Sequence, residues 1–263
     1  MPDNARAPQR VAVLDHVAVG TGTLADGWEL FGEVLGGVWA YGGHSRGFWW
    51  GQLQFSAGPK VELLTPTGGA DAAFLERFLA DRGPGFHHLN FIVPDIEVTL
   101  GKIAALGIKP VGVRLQNPQW KEAFLHPSDA YGTVIQVAEQ AEIPVSSRPP
   151  AELGVPGAPC SLSLIEQRVA DLDGAIRLCT EALDGELRSR ADAPGGAEAE
   201  VCWQNRARLR LVQTAVSPQA DLDSGEGITR VQFTRDDGLF GPADLDKAAV
   251  LARRLGVSVQ LGT

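Results

Sequence analysis

The chain repeats itself. The apolar alternation of "VAVLDHVAVG", centred on His16, is followed by "LADGWELFGEVLGG" at helical spacing, with Asp26 as a start signal and Gly36-Gly37 as a stop. Strands "GFWWGQLQF" and "PKVELLTP" come next, split by the turn Ser56-Ala57-Gly58-Pro59, and "VWAYGG" leaves room for another short strand. At residue 86 the order returns. Strand "FHHLNFIV" leads into helix "IEVTLGKIAAL", opened by Pro94-Asp95 and closed by Gly107; "KPVGVRLQ" and "WKEAFLHP" then flank Asn117-Pro118, and "GTVIQVAE" is a final strand. His16 to Gly36 spans 20 residues and His88 to Gly107 spans 19, so the two stretches are copies of one module.

A Pro- and Ser-rich stretch, "EIPVSSRPPAELGVPGAP", separates these copies from a third. There "CSLSLIEQRVADLDGAIRLCTEALDGEL" repeats strand, helix and Gly stop, and "EVCWQNRARLRLVQT" reads as paired strands. A fourth copy starts at "GITRVQF", in the frame of "GFHHLNF", and runs through helix "DLDKAAVLARRLG" to "VSVQLGT", short of the hairpin and last strand of the second copy. The expected division is a flexible N-terminus over 1–10, a two-module domain over 11–140, a linker over 141–159 and a degenerate, truncated copy over 160–263.

Composition excludes several classes of partner. A net charge of −9 argues against nucleic acid, which needs a basic stripe to displace counterions. No apolar stretch is long enough to span a bilayer, and "MPDNARAPQR" lacks the apolar centre of a signal peptide, so a cytoplasmic location is expected. The 3 cysteines, Cys160, Cys179 and Cys202, fit neither a disulfide framework nor a zinc knuckle and are read as reduced structural residues.

All 5 histidines lie in the first half. A lone strand histidine is most often a satisfied structural residue, but His16 and His88 hold equivalent places in consecutive copies. An approximate twofold brings them into one cleft. On the closing strands, Glu62 follows His16 by 46 residues and Gln136 follows His88 by 48. Each module thus offers one imidazole and one oxygen donor, a set suited to a divalent Zn, Co, Ni, Mn or Fe ion. Strict alternation along the strand places His87 on the face opposite His88.

The segments "LDHVAV", "VELLTP", "FLERFLADRGPGFHHLNFIVPDI" and "AFLHPSDAYGTVIQVAE", in that order over about residues 10 to 140, resemble the vicinal oxygen chelate superfamily. That superfamily includes glyoxalase I, methylmalonyl-CoA epimerase, extradiol dioxygenases and the bleomycin-resistance proteins, and the resemblance is closest to the epimerase-like branch. It implies an α+β fold of tandem βαβββ modules whose curved mixed sheets surround a cleft, with an incomplete second pair of modules. It also implies metal ligands at His16, Glu62, His88 and Gln136. Relative to the epimerase pattern, glutamate and glutamine are exchanged between Glu62 and Gln136, and "GFWWGQLQF" holds no glutamate, only Gln52 and Gln54 among its polar residues.

A metal held by neutral imidazoles acts as a Lewis acid on adjacent substrate oxygens, and Glu62 is the one carboxylate in the inferred ligand set. The expected function is a metal-dependent lyase or isomerase, glyoxalase- or epimerase-like, acting on a small oxygenated substrate through a metal-stabilised enolate, with Glu62 as catalytic residue. The alternative is a binding or resistance protein that sequesters an aromatic compound in the same cleft. An extradiol-type dioxygenase ranks third, because Gln136 stands where those enzymes have glutamate.

Phe48, Trp50, Trp120 and Asn90 are the substrate-contact candidates. Phe48 and Trp50 share one strand face, which either lines a pocket or packs under a helix, while Trp49 points the other way. Arg46 and Arg114 are read as surface residues ahead of the alternative that they meet a substrate carboxylate, His126 as structural, and His44 as part of a loop. In the second half His16 corresponds to about Leu164, Glu62 to Arg210 and His88 to Arg230. Two cations cannot replace metal ligands, so these arginines either bind an anion or pair with acids. This half is expected to cover the first in place of a dimer partner, with a homodimer left open as the assembly.

Overall fold

The structure, a computed structural model, describes residues 11–69, 72–141, 147–193, 196–214 and 225–262. The expected flexible N-terminus at 1–10 and residues 142–146 of the expected linker lie outside them. The fold is α+β with two mixed sheets, the first a curled half-barrel.

The first sheet holds two copies of one βαβββ module. In the first copy β1 (Val13–Gly20) leads to α1 (Leu24–Trp28), which continues as wider π-helical turns to Val34, and then to β2 (Val38–Ser45), β3 (Phe48–Gln54) and β4 (Lys60–Pro66). A linking helix α2 (Ala73–Arg82) precedes the second copy: β5 (Gly85–Ile92), α3 (Ile96–Ala105), β6 (Val111–Arg114), β7 (Trp120–Leu125) and β8 (Val134–Gln140). The strand order β2-β3-β4-β1-β5-β8-β7-β6 is palindromic about the β1–β5 seam. In each copy the last strand lies parallel to the first. The room left at "VWAYGG" is filled by β2. Helix α2 was not expected; its weak amphipathicity hides it from pattern reading.

Local signals account for most boundaries. Asp95 caps α3 as expected, its carboxylate accepting from the Val98 N–H. For α1 the cap is Thr23, one turn before the expected Asp26; Thr23 Oγ1 accepts from the Asp26 N–H. Gly36 has φ +67°, and a Cβ there would meet the Ala158 carbonyl oxygen at 2.0 Å, so this stop is also a point of close approach by the second half.

The second sheet contains β9 (Cys160–Arg168), β10 (Glu186–Ala193), β11 (Gly196–Cys202), β12 (Arg208–Thr214), β13 (Gly227–Arg235) and β14 (Val259–Leu261), in the order β10-β11-β12-β9-β13-β14. Helix α4 (Leu172–Arg177), again extended by π-helical turns, follows β9, and α5 (Pro242–Arg254) follows β13. Strand β10 was missed in the sequence because its outer-edge residues are polar. The fourth copy is arranged in an unexpected way. Strand β14, the first after its helix, pairs parallel with β13 and so takes the place that the last strand, β8, takes beside β5. Pairing there covers the open edge of β13, which a strand in the outer position would leave bare.

The two sheets share one apolar core. The Phe233 ring lies 4.9 Å from Phe55 and 6.3 Å from Phe31, and Phe91 lies 5.3 Å from Trp203. Asn205 Nδ2 donates to the Leu14 carbonyl at 2.8 Å, anchoring the second half to the strand that carries His16. Cys160 and Cys179 are buried, Cys202 is half-buried, and all three are free thiols.

Candidate metal centre

The seam between β1 and β5 is not regular, and its irregularities build the site. Leu14 pairs with Phe91 and His16 with Asn90, so Asp15 is an extra residue in β1. Ala18 pairs with His88 and Val19 with Phe86, so His87 is an extra residue in β5. Each is a β-bulge immediately before a candidate ligand, and a bulge re-aims side chains that alternation would separate. Asp15 Oδ2 lies 2.9 Å from His16 Nδ1, and His87 Nδ1 lies 2.9 Å from His88 Nδ1. The expectation that His87 sits on the opposite face is thereby corrected: the bulge turns it beside its neighbour.

The inner face of the half-barrel carries the candidates. His16, Asn90 and Gln136 lie in one row across β1, β5 and β8; Glu62, Ala18 and His88 lie in the next. His16 Nε2 is 3.4 Å and His88 Nε2 is 3.8 Å from Glu62 Oε2, and the three donor atoms lie within 4.8 Å of one another. All three residues are buried, as is Gln136 beside His88. Gln136 Oε1 accepts from Asn90 Nδ2 at 2.9 Å. Gln52, on β3, donates to Glu62 Oε1 at 2.9 Å.

The residues fit a cation. A carboxylate only accepts, so Asp15 requires the proton of a neutral His16 on Nδ1 and leaves Nε2 with a lone pair. His16 Nε2, His88 Nε2, Gln52 Oε1 and Asn90 Oδ1 are all buried without a hydrogen-bond partner. Two bare imidazole nitrogens and a carboxylate aimed at one point are costly unless something positive stands between them. Without an ion a proton plays that part: burial opposes charge on His16, but the Glu62 and Asp15 carboxylates outweigh it and raise its pKa to about 9. Burial likewise pushes Glu62 up, and His16, His88 and the Gln52 amide overcome it and hold it at about 2. Burial dominates for the other pair, lowering His87 to about 4 and His88 well below its ordinary value.

Asp15 is itself held by Lys60 Nζ at 2.6 Å, which also reaches the Tyr41 hydroxyl at 3.0 Å. Asp15→Asn keeps the shape but can turn its amide N–H toward His16, favouring the wrong tautomer. Divalent-metal affinity is expected to fall about 10- to 100-fold, measured by competition with a fluorescent chelator. An unchanged affinity would mean that Asp15 does not set the ligand tautomer.

The substrate candidates divide between two patches. Phe48 and Trp50 join Phe78 and Leu79 of α2 around Ala18, Leu64 and Leu75, so α2 packs against the sheet on this side. Trp120 is at the other end, against Val13, Ile92 and Ala138, with its indole N–H given to Glu122 at 3.0 Å. Trp49 turns away, its ring 4.1 Å from His44, which stands on β2 rather than in a loop. Arg114 pairs with Glu122, and His126 bonds Ser128 in a turn. Sequence reading assigned no role to Asp15 or Glu122, and named Gln52 only as standing in a strand without glutamate.

In the second sheet the same two bulges recur, at Ser163 and Thr229, immediately before Leu164 and Arg230. The inferred correspondence of Leu164 with His16 and Arg230 with His88 therefore holds residue for residue. Glu166 stands where Ala18 does, and Arg230 pairs with it at 2.5 Å; Arg210 lies 3.9 Å from Glu200. An ion pair fills the place of the metal set.

A curled half-barrel of paired βαβββ modules with a buried His-Glu-His set at its seam is the arrangement of a superfamily of metalloenzymes that includes epimerases and dioxygenases. Residues 15–124 match the family model of the Glyoxalase/Bleomycin resistance protein/Dioxygenase superfamily. Over 94% of this chain and 76% of the other, the fold is similar to a variant of 4-hydroxymandelate synthase from Streptomyces coelicolor, with TM-score 0.61 and 14% identity. A hypothetical protein from Staphylococcus aureus is similar over 86% of this chain and 92% of its own, with TM-score 0.56 and 11% identity. A methylmalonyl-CoA epimerase from Mycobacterium tuberculosis matches 49% of this chain and 88% of its own at 24% identity, with TM-score 0.44. No curated protein matches the sequence. Among the described residues, no helix is long and apolar enough to cross a membrane.

Proposed function

We infer that the chain is a metal-dependent lyase or isomerase that moves a proton on a small oxygenated substrate. The observation that carries this reading is the convergence of His16, Glu62 and His88 with both imidazole Nε2 atoms buried and unpartnered. With Gln136 as a flanking oxygen donor, these residues would hold one divalent ion, which supplies Lewis acidity toward adjacent substrate oxygens. Glu62 faces both imidazoles and is the residue assigned to hold or move the proton. Asn90 Oδ1 and Gln52 Oε1, acceptors without donors, are placed to orient a substrate hydroxyl or a water. Phe48 and Trp50 are assigned to the apolar side of the substrate, with Trp120 at the far end of the cleft.

The charge state of His16 makes the reading testable without a substrate. An ion must displace the proton that His16 keeps up to a pKa of about 9, so metal binding releases about one proton at pH 7.5. Apparent affinity then rises about tenfold per pH unit as pH increases toward that value and levels off above it. Calorimetric zinc titrations in phosphate and in Tris, whose ionisation heats differ, measure the released proton directly. Binding without proton release would contradict the charge assignment, and no binding would remove the metal reading.

The second reading, a protein that sequesters an aromatic compound, is favoured by one observation: the rings of Phe48, Phe74 and Phe78 gather with Trp50 on the sheet face that carries Ala18 and Leu64. Tryptophan fluorescence titration with aromatic ligands, in metal-loaded and metal-free protein, separates the two. Tight binding independent of metal supports sequestration.

A further inference from the structure

Each module sets a carboxylate and an amide against one another on adjacent strands, with the types exchanged; Gln52 stands directly opposite Glu62, whereas Glu122 reaches Gln136 diagonally, from the position opposite Ala138. In the first, Glu62 on the closing strand β4 accepts from Gln52 on β3. In the second, Gln136 on the closing strand β8 donates from Nε2 to Glu122 Oε2 on β7 at 2.9 Å. Each module therefore contributes one carboxylate and one amide, but the charge stands at the ligand position in one and behind it in the other.

The geometry points to Glu122 as a positioning residue that makes Gln136 an oxygen donor; this rests on the metal-centre reading above. An amide end is ambiguous, with an oxygen that coordinates a cation and an NH₂ that repels it, and the two differ by a half-turn about the last bond. A carboxylate accepts only, so the group facing Glu122 must be the NH₂. The oxygen is then delivered to the opposite side, beside Asn90 Nδ2 and His88. Glu122 is in turn locked: Oε2 also accepts from the Trp120 indole N–H at 3.0 Å, and Oε1 from Arg114 Nη1 at 3.0 Å. Its side chain is 13% exposed, so water competes little for these bonds. Trp120 acts here by holding Glu122.

The test is a cobalt(II) titration, read by chelator competition and by the visible absorption bands, which report the donor set. Glu122→Gln preserves volume but accepts either end of the Gln136 amide, and is expected to weaken cobalt(II) about tenfold or more and to shift the bands. Glu122→Asp keeps the charge and withdraws it by one methylene; the same loss is expected. In a Gln136→Ala background, adding Glu122→Gln should change affinity by less than about twofold, because the group it orients is gone. Equal losses in both backgrounds, or full affinity in Glu122→Asp, would show that Glu122 acts through its charge alone and overturn the inference. Unchanged cobalt(II) binding in Glu122→Gln would overturn it as well. A wild-type protein that binds no cobalt(II) would instead remove the metal centre, and this inference with it.

Discussion

Glu62→Gln is expected to slow entry of solvent deuterium at the carbon next to a substrate carbonyl by about 10²- to 10⁴-fold, the contribution typical of a positioned general base. The fold and metal binding should survive. The substituted amide has nearly the shape of the carboxylate, its oxygen still accepts from Gln52, and it still faces His16 and His88. What it loses is the capacity to take a proton. Removing Gln136 as Gln136→Ala should behave differently, lowering metal affinity first and exchange only through the unloaded fraction. The measurement follows 2-oxo acids, 2-hydroxy aldehydes and acyl thioesters by NMR in deuterium oxide with metal-loaded protein. Equal exchange by wild type and Glu62→Gln would remove Glu62 as the base. If no candidate exchanges, the sequestering reading gains.

Phe233→Ala is expected to cost about 3–5 kcal/mol, a large share of the about 5–15 kcal/mol that stabilises an ordinary domain. Phe233 is fully buried on β13, and its ring meets Phe31 and Phe55, residues of the first half. Truncating it opens a cavity lined by both halves, and neither can collapse into it without disturbing the other. Urea unfolding should therefore show one transition, moved to lower denaturant, for tryptophan fluorescence and for metal release alike. Metal release that keeps its wild-type midpoint while fluorescence shifts would mean that the two sheets unfold independently. By the same reasoning a chain cut after residue 150 should keep the candidate ligands but expose the Phe31 and Phe55 surface and aggregate.

Much of this architecture was legible because apolar periodicity and Gly or Pro punctuation are local properties of the chain. The repeat length placed His16 and His88 at equivalent positions, and two equivalent strands of a duplicated module have few ways to meet other than across a pseudo-twofold seam. Glu62 and Gln136 followed from the same spacing. Asp26 was misread as a cap because Thr23 and Asp26 bond each other, and pattern alone does not say which comes first. Helix α2 escaped because it is only weakly amphipathic, and strand β10 because its edge residues are exposed and polar.

The order of the modules and the candidate donor set were thus determined by sequence, since they depend on spacing along one chain. Tertiary structure decided the rest. The bulges at Asp15 and His87 arise from mismatched pairing between β1 and β5, a property of two strands together, and they bring Asp15 against His16 and His87 against His88. Glu122 meets Gln136 only because β7 pairs with β8 in that register. The place of β14 beside β13 was likewise settled by an open sheet edge, because a strand pairs where unsatisfied backbone groups remain.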